Sequence, residues 1–173
     1  ADLNELIQPY QSAPVVIANY NCPGQLIVSG EKSALEQVTH DIKAKGSKVI
    51  PLKVAGAFHS PLMQSASDEL SGFLENKVFN SASVPIVLNR TGKPEQDGAV
   101  LKENLVQQVV SSVQWIDSMT YLGSKVDAIV ECGQGRVLTG LTKKILPDYL
   151  LFSVFSVEML ESFKESYFQS IES

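Results

Sequence analysis

The feature that most constrains the fold is a short, almost uninterrupted apolar run, Ala128–Cys132, which is followed at once by Gly133. Runs of this kind are typical of strands buried in a parallel sheet, because both faces of such a strand are covered. Parallel strands need crossover connections, which are usually helices. Helical patterns flank the run on both sides, so we predict an α/β fold with helices on the faces of a sheet.

Hydrophobic periodicity divides the rest of the chain into alternating helices and strands. The predicted helices span residues 3–10, 33–46, 62–78, 101–110, 115–122, 137–145 and 157–171. The other predicted strands span residues 15–18, 26–30, 49–54, 84–89 and 150–154. Residues 19–25 are dense in turn formers, which predicts a long turn joining the first two strands as an antiparallel hairpin.

The first part of the chain has the predicted element order α-β-β-α-β, which is that of a ferredoxin-like split βαβ unit without its first strand. We assign this incomplete small subdomain to residues 1–55 and a second part, belonging to an α/β core, to residues 56–173. A sheet that lacks a strand exposes an unpaired edge. The absent strand would precede Ala1, and a chain that opens without Met fits a processed or excised segment.

Composition narrows the class of protein without identifying a partner. Hydrophobic residues make up 44% of the chain and charged residues 19%, as in ordinary globular proteins. A net charge of -5 without a basic run argues against nucleic-acid binding, and no apolar stretch reaches the roughly 20 residues that span a bilayer. No secretory signal is visible. We therefore expect a cytoplasmic protein whose distant cysteines, Cys22 and Cys132, are buried and reduced.

His59 lies where a predicted strand ends and a helical pattern begins at Pro61. An imidazole at such a junction can face a cleft and serve as a general base near neutral pH, or it can simply fill the seam between the two elements. Gln108 falls on the apolar stripe of its predicted helix, where an unsatisfied amide costs about 1–3 kcal/mol. The pattern leaves open whether Gln108 holds a neighbouring loop or belongs to a site.

Other candidate residues carry weaker signals. Asn19 lies in the predicted turn, where an Asn most often satisfies turn backbone. Residues 133–136, Gly-Gln-Gly-Arg, resemble a phosphate-binding turn but lack a complete dinucleotide or P-loop pattern, so glycines for a tight turn are the better interpretation. No Gly-x-Ser-x-Gly motif occurs, and neither cysteine has a nucleophile-like context. His59 would thus be a base without its nucleophile.

Segments that follow one another in order resemble motifs of the malonyl-CoA:acyl-carrier-protein transacylase family. They are residues 19–30 (beginning Asn-Tyr-Asn-Cys-Pro-Gly-Gln), 56–63 (Gly-Ala-Phe-His-Ser-Pro-Leu-Met), 113–115 (Val-Gln-Trp) and 131–141 (beginning Glu-Cys-Gly-Gln-Gly-Arg). The resemblance runs from about residue 15 to residue 146. It implies a partial α/β-hydrolase-like large domain and a ferredoxin-like small subdomain, of which this chain would carry the C-terminal portion.

The resemblance implies transfer of a malonyl group from malonyl-CoA to the phosphopantetheine thiol of acyl carrier protein, in fatty-acid or polyketide synthesis. His59 would be the general base that activates a serine, oriented by a backbone carbonyl. Gln108 and Asn19 would line the substrate site. Phe58 would favour malonyl, because its ring fills the space that an α-methyl branch needs, an effect of about 1–3 kcal/mol. No metal or cofactor is implied beyond the coenzyme A thioester, which is a substrate.

The chain departs from this family pattern in two respects. The half that carries the serine, the oxyanion-hole donors and the arginine for the malonyl carboxylate is absent, and Gln134 stands where Pro is usual. We therefore expect the chain alone to be inactive and to need a missing N-terminal half or a second chain. The alternatives are a discrete trans-acting acyltransferase of a polyketide synthase, an acyltransferase for another acyl group, and a catalytically incomplete carrier-protein-binding fragment.

Overall fold

The computed structural model describes residues 3–10 and 12–172, with the backbone alone described for residues 169–172. Its helices are α1 (Leu3–Ile7), α2 (Lys32–Ala44), α3 (Gln64–Leu74), α4 (Gly98–Gln107), α5 (Trp115–Gly123), α6 (Val137–Ile145) and α7 (Val157–Glu172). Its strands are β1 (Val16–Cys22), β2 (Gln25–Ser29), β3 (Ile86–Val87), β4 (Pro94–Glu95), β5 (Ala128–Cys132) and β6 (Leu150–Val154). Short 3-10 turns extend α1 at Gln8–Tyr10 and precede α3 at Pro61–Met63.

The mixed α/β class predicted from the sequence is confirmed. Contacts divide the chain into two compact units, Ala1–Ser118 and Met119–Ser173. This division differs from the predicted small subdomain of residues 1–55 and core of residues 56–173, which stay a prediction. Across the described residues, no helix is long and apolar enough to cross a membrane.

The first unit contains the predicted antiparallel hairpin of β1 and β2. The prediction of a long turn is wrong: β1 continues through the polar segment to Cys22, and β2 resumes at Gln25. Only Pro23 and Gly24 remain between the strands. Gly24 has a φ of 77°, which two-residue hairpin turns commonly require. The turn formers before Pro23 are therefore strand residues, because the hairpin pairs them with β2.

Helices α1 and α2 pack with the hairpin to form the core of this unit. Its buried residues are Ile7, Val15, Ile17, Ala34 and Val38. Helix α2 was predicted from its three-and-four spacing of apolar residues, and the structure confirms it. The Glu31 carboxylate caps its start by accepting from the Ser33 N–H, and Gly46, with a φ of 82°, follows its end.

The predicted strand at residues 49–54 does not form. These residues pair with no strand, and Ile50, Leu52 and Val54 are 65%, 57% and 65% exposed. These three apolar residues are two positions apart, as in a strand that buries one of its faces. A strand needs a hydrogen-bonded neighbour, and no described strand pairs with this segment. Pro51 also withholds one backbone donor.

Helix α3 and strand β3, in the rest of the first unit, are both shorter than predicted. Helix α3 ends at Leu74, where the Lys77 N–H donates to the Leu74 carbonyl at 2.9 Å and turns the chain. The predicted strand at 84–89 shrinks to β3, which pairs with β4 a few residues further along the chain. Pro94 in β4 lacks a donor, so this ladder stays short.

The second unit confirms the parallel pairing predicted for the apolar run. Strand β5 pairs with β6 from Ala128 with Leu150 to Cys132 with Val154, and α6 forms the crossover. The expected complete burial of β5 is wrong: its first four residues are half-buried and Cys132 is exposed. The reason is that only β6 flanks it in the described part of the chain. Both cysteines are free, but only Cys22 is buried as predicted.

Candidate active site

His59 has a backbone conformation that is uncommon for a residue with a side chain. Its φ is 61°, in the left-handed region, which such a residue keeps only when its surroundings hold it there. The His59 N–H donates to the Val109 carbonyl at 3.1 Å. The hydroxyl of the fully buried Ser60 donates to the Ala57 carbonyl at 2.7 Å. The turn that carries His59 is therefore fixed on both sides.

The imidazole of His59 is oriented by a backbone carbonyl. Its Nδ1 lies 2.9 Å from the carbonyl oxygen of Gln108. Because a carbonyl only accepts hydrogen bonds, Nδ1 must carry the hydrogen, and the neutral ring then keeps its lone pair on Nε2. An unprotonated Nε2 on a positioned ring is what a general base requires.

Gln108 connects His59 to a loop. It forms the C-terminal cap of α4, where backbone carbonyls lack partners within the helix and can accept from other groups. Its side chain is half-buried, and Oε1 accepts from Nδ2 of Asn89 at 3.2 Å. The two interpretations that the sequence left open therefore coincide, since Gln108 both holds a loop and lies beside His59. Its role towards substrate stays a prediction.

Asn89 is a residue of this site that sequence reasoning missed. It lies just after β3, and a polar residue at the end of an apolar strand was the signal that could have found it. The Gln114 N–H donates to the Asn89 carbonyl at 2.6 Å. The neighbouring Arg90 donates from Nη1 to Oδ1 of Asn104, a buried residue on α4, at 3.0 Å. These bonds fix the loop against α4 and against the segment that precedes α5.

Asn19 lies within β1 and not in a turn. The Tyr20 N–H donates to the Val113 carbonyl at 2.9 Å, and the Val113 N–H donates to the Ala18 carbonyl at 2.8 Å. These bonds place β1 beside the segment that begins at Gln108. The register of β1 also shifts next to Asn19, and such irregularities are frequent near binding sites. The predicted substrate contact of Asn19 remains a prediction.

Phe58 precedes His59 and is 51% exposed. A Cβ on Gly56 would lie 3.7 Å from the Phe58 ring and 3.5 Å from Sδ of Met63, so these residues are close neighbours. The ring is thus half exposed beside the residue that carries the imidazole. Its effect on acyl choice stays a prediction.

Glu131, at the end of β5, caps the start of α6. Its carboxylate accepts from the Thr139 hydroxyl at 2.6 Å, from the Thr139 N–H at 2.7 Å and from the Leu138 N–H at 3.1 Å. These bonds, with the Thr139 hydroxyl contributing most, hold the pKa of the Glu131 carboxyl below its ordinary value.

The Glu131 carboxylate helps to decide whether the glycine-rich turn before α6 is a phosphate-binding turn or simply a tight turn. Gly133 and Gly135 have φ values of 132° and 99°, as expected for glycines in a tight turn. The backbone donors that a phosphate would need at the helix start are already bound to Glu131. The tight-turn interpretation is therefore the better one.

His40, the second histidine, takes no part in this site. Its side chain is 85% exposed, and Nδ1 lies 3.4 Å from Oδ1 of Asp41. In the described part of the chain, no group of three or more His, Cys, Asp and Glu residues is placed to hold a metal ion.

Comparison with known proteins gives a consistent result. The malonyl CoA-acyl carrier protein transacylase of Staphylococcus aureus strain MSSA476 is 39% identical over 151 residues, which are 86% of this chain and 49% of that protein. The crystal structure of the Synechocystis sp. PCC 6803 malonyl-CoA:ACP transacylase matches with a TM-score of 0.82 and 35% identity, over 92% of this chain and 54% of that one.

A third match is a malonyl-transacylase solved in complex with a type II polyketide synthase acyl-carrier protein. It has a TM-score of 0.84 and 34% identity over 92% of this chain and 52% of its own. A scan against protein-family models found no match. The chain spans about half the length of the curated relatives it matches.

The fold and the oriented imidazole define a mixed α/β chain in which a turn holds a histidine ring against a backbone carbonyl. Sequence identity and fold agreement over nearly the whole chain then identify the relatives. The chain is a homologue of the malonyl CoA-acyl carrier protein transacylases and corresponds to about half of one.

Proposed function

We propose that the chain is the C-terminal half of a malonyl-CoA:acyl carrier protein transacylase and supplies the general base of a serine–histidine pair. The observation that carries this proposal is the contact between Nδ1 of His59 and the Gln108 carbonyl, which leaves Nε2 as the proton acceptor. The relatives, whose names state this activity, support it. The serine lies in the part of the relatives that this chain does not cover.

In the first half-reaction the serine Oγ attacks the thioester carbon of malonyl-CoA. The Oγ–C bond forms as the C–S bond breaks, and Nε2 of His59 takes the Oγ proton and passes it to the coenzyme A sulfur. In the second half-reaction Nε2 takes the proton of the carrier protein's phosphopantetheine thiol. The sulfur attacks the ester carbon, the C–Oγ bond breaks, and the serine regains its proton from Nε2.

The position of His59 suits this exchange of roles. The Gln108 carbonyl holds the ring at Nδ1, so Nε2 stays free to exchange protons with the serine and the thiols. Gln108, Asn19 and Phe58 are proposed to line the acyl-binding side of the site. No cofactor takes part in these steps, since coenzyme A enters and leaves as part of the substrate.

The partner is proposed to be the other half of the protein, either continuous with this chain or supplied as a second chain. The half-length match to relatives supports this partner, as do the exposed apolar residues of the unpaired segment 49–54. The finer fold is proposed on the same basis. Residues 1–55 are the ferredoxin-like subdomain awaiting its first strand, and β5 and β6 belong to an α/β-hydrolase-like sheet whose other strands lie in the partner half.

A polyketide pathway is the second candidate. The solved complex between a malonyl-transacylase and a type II polyketide synthase acyl-carrier protein favours it, since that structure matches over 92% of this chain. The chemistry at His59 is the same in both pathways, so the carrier protein alone distinguishes them. Rates with fatty-acid and polyketide carrier proteins as competing acceptors would assign the pathway.

Intact mass spectrometry after incubation with malonyl-CoA tests the proposal. The chain alone is expected to remain unmodified, because its nucleophile is absent. A chimera that places the N-terminal half of the staphylococcal relative before this chain is expected to gain one malonyl group on the relative's serine and to lose it to carrier protein. In that chimera, His59→Ala should slow transfer by about 10²–10⁴-fold, the usual contribution of a general base.

One control variant and three possible outcomes separate the alternatives. His40→Ala removes the other, exposed histidine and should leave transfer unchanged. If the chain alone gains a malonyl group, the claim of inactivity is wrong. If His59→Ala transfers as fast as the unaltered chimera, His59 is not the base. If the chimera binds carrier protein but never acquires an acyl group, the chain is a carrier-binding fragment.

A further inference from the structure

The geometry points to Asn89 as a positioning residue that fixes which end of the Gln108 carboxamide faces the active site. This inference rests on the proposed function and adds a residue to it. A Gln side chain has an acceptor, Oε1, and a donor, Nε2, of nearly equal size. If a neighbouring residue binds one of these two atoms, the other atom is the one that can face the substrate.

The direction of the bond is what matters. Nδ2 of Asn89 donates to Oε1 of Gln108 at 3.2 Å. With Oε1 engaged in this way, the two hydrogens on Nε2 remain for another partner. The same Gln108 orients the imidazole through its backbone carbonyl, so its side chain extends from the residue that holds the proposed base. Gln108 therefore presents a donor, which suits the oxygen of an acyl group that gains negative charge in the transition state.

Asn89 can act in this way because its loop is held rigidly. The Gly92 N–H donates to the Leu88 carbonyl at 2.8 Å and closes the turn. Gly92 has a φ of 64°, and a Cβ there would lie 2.6 Å from Cβ of Asp117, so the loop lies directly against the start of α5. Together with the bonds from Arg90 and Gln114, these contacts keep the position of Asn89 defined.

The substitution Asn89→Asp tests the direction of the bond. A carboxylate can only accept, so it would bind Nε2 of Gln108, turn the carboxamide over and present Oε1 to the substrate. In the active chimera we expect kcat/KM for malonyl transfer to fall about tenfold or more, since one lost hydrogen bond to a developing charge is of that size. Asn89→Ala leaves the carboxamide unfixed and should cost less than Asn89→Asp.

A double-substitution cycle distinguishes positioning from a general structural role. In a Gln108→Ala background, Asn89→Asp should have no further effect on kcat/KM, because its effect passes through the Gln108 side chain. Asn76→Asp, on an exposed residue after α3, introduces the same charge in the same unit and should leave the rate unchanged. An equal loss from Asn89→Asp in both backgrounds would overturn the proposal.

The side-chain amide signal of Gln108 gives a readout that does not depend on activity. In the 173-residue chain itself, Asn89→Asp should move one Nε2 proton of Gln108 downfield, as expected when an amide begins to donate to a carboxylate. An unchanged signal would also overturn the proposal. If the signal moves and His59→Ala is without effect in the chimera, the proposed function fails while the positioning by Asn89 stands.

Discussion

Two adjacent residues, Phe58 and His59, bear different parts of the proposed reaction. His59 is held in a left-handed conformation by its backbone bond to Val109, so a change at residue 58 need not displace the imidazole. Phe58 is half exposed, and its ring lies near Gly56. Substrate choice can therefore be altered at Phe58 without moving the base.

Phe58→Ser is expected to relax the preference for malonyl in the chimera. Removing the ring opens space for an α-methyl branch, and a pocket change of this kind is worth about 10–200-fold in discrimination. Competition between malonyl-CoA and methylmalonyl-CoA measures the ratio of their kcat/KM values. Phe73→Ser, at another exposed aromatic residue, is the matched control. An unchanged ratio for Phe58→Ser would mean that the ring does not line the acyl pocket.

At the scale of single residues, the sequence predicted His59 as a candidate base but did not predict the groups around it. His59 was recognisable because its type and its place between a strand and a helix are local properties. The Gln108 carbonyl that orients it lies far along the chain, and a backbone group leaves no mark in a residue pattern. Asn89 was missed for a related reason, since its hydrogen bond to Gln108 joins two elements whose relative position only the folded structure defines.

Among the elements, α6 depends on a carboxylate supplied by the strand before it. The Glu131 side chain satisfies backbone donors that the first turn of a helix leaves free, and negative charge is favoured at that end. Glu131→Gln should lower the melting temperature at neutral pH by about 2–4 °C, for a loss of roughly 1 kcal/mol. Glu165→Gln, on the exposed face of α7, should leave it unchanged.

The same cap predicts a pH dependence. The folded pKa of Glu131 lies below its ordinary value of 4.5, so this stabilisation is complete above that pH and is lost as pH falls through the folded pKa. The melting temperatures of the parent and of Glu131→Gln should therefore differ at pH 7 and converge in acid. A constant difference down to strongly acidic pH would show that the charge of Glu131 contributes nothing.

Helices and strands were predicted correctly where residues close together in the sequence determine them. Helices α2 and α6 follow from apolar spacing and terminal glycines, and β5 follows from an apolar run. The segment 49–54 has an equally clear strand pattern, yet it pairs with nothing. A helix satisfies its own backbone, whereas a strand depends on a neighbour, and periodicity cannot supply one. The alternating pattern therefore indicates that this segment can form a strand when a partner strand is present.

For the molecule as a whole, the unpaired segment gives a direct test of whether another half completes the fold. Ile50, Leu52 and Val54 are exposed in this chain, and burying side chains of this size stabilises a protein by about 1.5–3 kcal/mol each. In the chimera we expect residues 49–54 to become a strand beside the one supplied by the added half. Their backbone amides should then exchange with solvent at least about tenfold more slowly than in the chain alone, because they become hydrogen-bonded.

Hydrogen exchange followed by mass spectrometry would measure this change, with α2 as the internal control. The amides of α2 are already bonded within the helix, so their protection should change less than that of residues 49–54. Leu52→Lys should reduce this gain in protection, because it places a charge on the face of the strand that would become buried. Lys53→Ala changes a side chain on the opposite face and should leave the gain unchanged. The contradicting outcome is a chimera that transfers malonyl while residues 49–54 exchange as fast as in the chain alone. The two halves would then join without this strand. The proposed ferredoxin-like subdomain would be wrong, although the proposed activity would be right.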